Sequence, residues 1–403
     1  PDALGGRPLI PTGRAYLIAV QCPGMNQRDH SLDFLKGIGC MLMVFSHSYV
    51  VGHTLPLFLL AAAGAFLGRL APILFFSVSG VVNALQAKRR PLRYFAVFAG
   101  LFALLGLIYN AYWRPDFGTG IESDIPQIVA MTILATVIVE KTFRNPTLGY
   151  ALVAGVLAVL HFVVGPFVPA FPGRQFLFVP LDGPGVFPLT PWLIFPMLGN
   201  IAYRLEDTTI RRIASGLAGI LVAALVGSYF LLPRAVYGPF WTDKYAMTLG
   251  YFALSVTLLY VIYAFMRGAG ARLIHPLVTY IGRNSFPFMF IHLIWIRLFK
   301  YLDVTNPLMV WPAVLVLTVP TVMLFDRLQK GRVEKLFLSP IAWVIYAVAL
   351  AVQLIYIRDF SLLLYLLGLV FAYEYRPLAQ ALKAFFTPKP PEQAPAPHQP
   401  ASA

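Results

Sequence analysis

The chain reads as an all-α, polytopic integral membrane protein of about ten to twelve transmembrane helices. Three observations predict this. First, 59% of its 403 residues are hydrophobic and 12% are charged, with a mean hydropathy of +0.73. A soluble domain carries roughly twice that charged fraction. Second, apolar runs of about 20 residues, each long enough to cross a bilayer, recur from Leu32 to Tyr375. Third, none of them alternates with the two-residue period of a barrel strand. A chain in lipid must satisfy its own backbone hydrogen bonds, so the spans are helices.

The apolar runs, read against their breakers, centre on residues 42, 79, 101, 132, 156, 196, 222, 256, 288, 317, 347 and 368. The run from Leu57 to Leu67 reads as an interfacial or re-entrant helix before the second span. Residues 1–30 form a loose N-terminal tail, 31–380 the transmembrane domain and 381–403 a disordered tail, Pro- and Ala-rich from Thr387 to Ala403. Residues 1–24 lack the long apolar core of a cleavable signal peptide, and Met25, just before the first helix, reads as a natural start. The two cysteines, Cys22 and Cys40, are too few for a disulfide framework. No internal repeat of the kind that marks many secondary transporters is visible.

Charge orders the loops. Lys88, Arg89, Arg90 and Arg93 mark one side; Asp116, Glu122 and Asp124 mark the other. Lys141 and Arg144, then Arg204, Arg211 and Arg212, then Arg267 and Arg272, and finally Arg327, Lys330, Arg332 and Lys335 return to the first side. The net charge of +14 is thereby explained by the positive-inside rule rather than by nucleic acid. That rule places both termini in the cytoplasm of a multi-pass inner (plasma) membrane protein.

Chemistry concentrates in Ser31–His47, SLDFLKGIGCMLMVFSH. Asp33 and Lys36 enter this apolar helix, share a face and are spaced to pair with each other. His47 lies about 16 Å further along it. Ionisable groups inside a bilayer are expensive and functional by default. A histidine there suits a general base that deprotonates a hydroxyl or amine near neutral pH. The bland alternative makes Asp33 and Lys36 interfacial anchors and has His47 snorkel or bond a neighbouring helix. A second segment, PILFFSVSG, ends in Ser79-Gly80 and is followed by Arg90 and Arg93, three residues apart at the start of the third span. Two guanidinium groups so placed can bind phosphates through paired, charge-assisted hydrogen bonds. A nucleotide-bearing donor such as coenzyme A suits that position, although a simple positive-inside stop would look similar.

These segments resemble the transmembrane acyltransferase superfamily, and most of all the acyltransferase-3 family. The likeness covers residues 28 to 300. It rests on Leu32-Asp33-Phe34-Leu35-Lys36-Gly37 through His47, on Phe75-Phe76 with Ser79-Gly80, and on Arg90/Arg93. It rests too on Ile281-Gly282-Arg283-Asn284-Ser285 followed by Ile291-His292. Phe187-Pro188-Leu189-Thr190-Pro191-Trp192 with Gly199, and Asp124-Ile125-Pro126-Gln127, are similar to the heparan-α-glucosaminide acetyltransferase-like branch. One departure is Lys36, where most members carry arginine; lysine keeps the charge and loses the bidentate fork.

The resemblance implies transfer of an acyl group, commonly acetyl, from cytoplasmic acyl-coenzyme A to a hydroxyl or amine of an envelope glycan, glycolipid or other lipid-linked or small acceptor. His47 would be the catalytic base, supported by Lys36 and Asp33. Arg90 and Arg93, with Ser79 and Gly80, would hold the donor. Asp124, Gln127, Arg283, Asn284 and His292 are candidates for the acceptor side. His292 reads equally as a satisfied interfacial histidine beside Trp295 and Arg297, Arg283 and Asn284 as helix caps, and Trp192 and Trp241 as aromatic-belt residues. His53, His161 and His275 attract no role. No metal-ligand spacing, G-x-S-x-G elbow or Walker loop appears. The competing class is a proton-coupled transporter or flippase of a lipid or sugar, with His47 and the arginines lining its path.

Overall fold

A computed structural model describes residues 29–51, 58–113, 123–171, 173–179, 187–304, 306–328, 339–356, 366–374 and 377–378. The helices of eight residues or more are α1 (His30–Val51), α2 (Phe58–Ala87), α3 (Leu92–Trp113), α4 (Ile125–Thr142) and α5 (Pro146–Val159). They continue with α6 (Ile194–Arg204), α7 (Asp207–Leu231), α8 (Arg234–Thr242), α9 (Leu249–Met266) and α10 (Pro276–Arg283). The last are α11 (Ser285–Tyr301), α12 (Pro307–Leu328) and α13 (Pro340–Tyr356), with a further helical stretch over 366–374. No strand occurs among the described residues.

Local chemistry sets several of the starts. Asp124 and Gln127 form a capping box at the head of α4, with Pro126 in its first turn. The Asn145 side chain accepts from Thr147 and Leu148, and Pro146 begins α5. His275 caps α10 in the same way, accepting from Leu277, ahead of Pro276.

Every centre expected from the apolar runs falls within a helix. The segment over 57–67 differs from expectation. From Phe58 it runs without a break into α2, a single helix of 30 residues that absorbs Pro72. Six described helices are long and apolar enough to cross a membrane: 68–87, 125–142, 146–167, 207–231, 249–266 and 307–328. Among the described residues this does not reach the ten to twelve expected: α1 carries Asp33 and Lys36, α3 is apolar over a shorter stretch, and α11 and α13 are each 17 residues long.

Burial separates centre from periphery. The 68–87 stretch is 78% buried, whereas 207–231 is 6% buried. On α7, Ile220, Val222, Phe230 and Leu231 are all more than half exposed. Such a continuous apolar face has no place in water and is compatible with lipid.

α1 and α2 run antiparallel. Lys36 Nζ lies 5.8 Å from the Phe75 ring centroid, Gly39 sits against Ala71, and Gly68 sits against Ser46. Arg69 is therefore level with the His47 end of α1. Arg90 and Arg93, beyond the far end of α2, belong to the Asp33 end.

Candidate functional site

The centre of the candidate site is a pair of histidines. His47 Nδ1 and His292 Nε2 are 2.9 Å apart, although 245 residues separate them in the chain. The ring centroids lie 5.2 Å apart with planes within 8°, so the rings meet edge to edge through this bond. His292 is fully buried, and its Nδ1 lies 3.0 Å from the Phe288 carbonyl, so it is a satisfied histidine as the bland reading expected. A carbonyl only accepts, so His292 Nδ1 carries a proton and donates to Phe288. In a neutral ring His292 Nε2 is then an acceptor, and His47 Nδ1 must donate to it. The network thus assigns the His47 tautomer: Nε2 bears the lone pair that can take a proton.

At the other end of α1, Arg283 Nε donates to Asp33 Oδ2 at 3.2 Å, and Arg283 also donates to His30 Nδ1 at 2.9 Å. Two glycines bring these segments together. A Cβ on Gly282 would lie 1.8 Å from the Asp33 carbonyl oxygen, and one on Gly37 would lie 2.0 Å from that of Val278. Only glycine permits α1 and α10 to approach so closely. Asn284 closes α10, its Nδ2 donating to the Tyr280 carbonyl, so the capping role expected for it holds.

Ser79 is buried. Gly80 packs on α6, where a Cβ would meet the Pro196 carbonyl at 2.7 Å, and Gly199 packs back against Ser77. Arg90 and Arg93 are exposed at the turn into α3, with the Arg90 guanidinium 5.1 Å from the Tyr94 ring centroid. Asp124 and Gln127 are buried in the α4 capping box, with Gln127 also against Gly106.

The aromatic-belt reading of the tryptophans fails. Trp192 is fully buried, 5.8 Å from Phe76 and 4.8 Å from Phe187 in a cluster of aromatic rings. Trp241 is buried and donates to Ser228 Oγ at 2.9 Å. Both face protein rather than an interface. His53 lies outside the described residues.

Two cations not singled out from the sequence stand near His47. Arg69 and Lys244 repel each other, Asp124 attracts Lys244, and Lys244 acts electrostatically on His47. Burial first, and then Arg69, lower the Lys244 amine from its ordinary 10.5 to about 8. Arg69 was legible as a lone arginine in an apolar run. Lys244 sits in a short connection with no recognisable pattern around it. Neither the comparison with protein-family models nor that with curated proteins yields a match.

Proposed function

We propose that the chain is a membrane-embedded acyltransferase. It moves an acyl group, acetyl in the first instance, from acyl-coenzyme A to a hydroxyl or amine of an envelope glycan, glycolipid or other small acceptor. The observation that carries this reading is the His47–His292 pair, which leaves His47 Nε2 able to take a proton. The motif resemblance supplies the reaction class.

In this mechanism His47 Nε2 takes the proton of the acceptor hydroxyl as its oxygen attacks the thioester carbonyl carbon. The carbon–sulfur bond then breaks, and the imidazolium returns the proton to the departing thiolate. His292 holds the tautomer and is a positioning residue. Arg90 and Arg93 hold donor phosphates through charge-assisted bonds at the Asp33 end. Lys36 adds positive charge between the two ends. The positive-inside rule puts the arginine end and both termini in the cytoplasm of an inner (plasma) membrane and the His47 end towards the opposite face. With α1, α3, α11 and α13 also spanning, the count reaches ten.

The test is radiolabelled acetyl-coenzyme A with the full chain in nanodiscs. Wild type should bind the donor and turn it over, and the Arg90→Ala/Arg93→Ala double variant should lose binding. A wild-type protein that binds no acetyl-coenzyme A would overturn the reading.

A further inference from the structure

The arginines at the Asp33 end of the bundle divide into two groups. Arg204 is engaged by Glu140, Arg283 by Asp33, and Arg267 by Asp207 and the carbonyls at the end of α6. Arg211, Arg212 and Arg272 are exposed and make no hydrogen bond or ion pair among the described residues. The positive-inside rule accounts for the side on which these three lie. It does not account for where the fold holds them.

Two of the three are brought to one turn. A guanidinium nitrogen of Arg211 lies over the connection from α9 to α10, 3.4 Å from where a Cβ on Gly268 would stand. A 3-10 helix, Ala269–Leu273, follows at once, so Arg272 is about 8 Å further along the same turn. Side chains of that reach can close on one phosphate from two sides with charge-assisted bonds. The carboxylates closest to Arg211 in sequence are Asp207, engaged by Arg267, and Glu206, exposed ahead of α7. The same turn folds onto Phe265, whose ring a Cβ on Gly270 would meet at 2.8 Å. Phe265, Ile213 and Leu273 are all exposed beside the cations.

Depth selects the kind of anion. From Ile213 to Leu231, α7 carries no charged side chain. From Arg212 to Leu231 the helix rises about 29 Å, close to the hydrocarbon thickness of a bilayer. Arg211 and Arg212 therefore stand where the apolar surface of α7 begins, at the level of headgroup phosphates. A soluble anion would satisfy the guanidinium groups and leave the exposed apolar side chains in place. An amphiphile with a phosphate and acyl chains satisfies both.

We infer that Arg211 and Arg272 form a binding site for an anionic phospholipid, with its phosphate between the two guanidinium groups and its chains along Ile213 and Phe265. The site involves neither His47 nor the donor arginines, so it stands apart from the acyltransferase reading.

The experiment is native mass spectrometry of the full chain in a non-ionic detergent, titrated with phosphatidylglycerol and, as zwitterionic control, phosphatidylcholine. Tighter binding of phosphatidylglycerol is expected. Arg211→Gln and Arg272→Gln should each weaken it about fivefold, and Arg211→Lys, which keeps the charge, should retain it. Arg144→Gln should leave it unchanged; this exposed cation lies on the same side, just beyond the Glu140 that Arg204 engages. An equal loss in Arg144→Gln would reduce the effect to diffuse surface charge and overturn the site. Equal occupancy by the two lipids would overturn it too. Displacement of the lipid by inorganic phosphate would assign the arginines to a soluble anion and likewise contradict the inference.

Discussion

The Phe288 carbonyl fixes one proton on His292, and that proton decides which nitrogen of His47 can act. His292→Phe should therefore slow acyl transfer about 10- to 100-fold, the usual effect of removing an orienting partner, with donor binding unchanged. His292→Gln, which retains an acceptor for His47, should recover part of the rate. Equal rates in wild type and His292→Phe would remove the orienting role. Lys244 makes a second prediction. Its proton is held less tightly when folded than when unfolded, so between pH 8 and 10.5 the unfolded chain binds more protons and stability rises with pH. A melting series over that window should climb in wild type and flatten in Lys244→Met. Much of this site was not legible as a set. His47 stood out as a histidine in an apolar helix, but its partner lies 245 residues away. No local pattern encodes so distant a bond, and the same distance hid the cation pair of Arg69 and Lys244.

α1 is gripped on two faces: by α2 through Gly39, Gly68 and Phe75, and by α10 through Gly37 and Gly282. Gly282→Ala places a methyl group against a backbone carbonyl that has no rotamer to change. It should cost about 3 kcal/mol or more, read as a lowered melting midpoint. Gly100→Ala, where a Cβ meets nothing within 4 Å, should not lower it. Matching losses in the two variants would refute the glycine contact. The long helices were legible because their apolar runs exceed any competing signal. The start of α4 was not read: Asp124-Ile125-Pro126-Gln127 drew notice for its likeness to a family motif, and its capping box emerged only with the structure. The eight residues of α10 were too short to register as an element. Its role, presenting Gly282 and Arg283 to α1, became visible only with both helices in place.

Across the whole molecule, polarity is arranged along α1 and lipid-compatible surface on the outer helices. Arg267 ties the end of α6 to α9 by donating to the carbonyls of Ala202, Tyr203 and Leu205 and to Asp207. The buried Glu140 carboxylate pairs with the partly exposed Arg204 and accepts from Tyr150 Oη at 2.7 Å. Several loop cations that read simply as a topology signal thus also close helix ends. The orientation makes its own prediction: Arg89→Cys in sealed cells should resist a membrane-impermeant thiol reagent until the membrane is opened. Labelling of intact cells would invert the topology and move the donor site to the wrong face. The central claim is that His47 is the base for acyl transfer, and single-turnover release of coenzyme A thiol at saturating acetyl-coenzyme A tests it most directly. With donor binding retained, His47→Ala should release thiol at least about 100-fold more slowly than wild type. Release at the wild-type rate from His47→Ala would contradict the account.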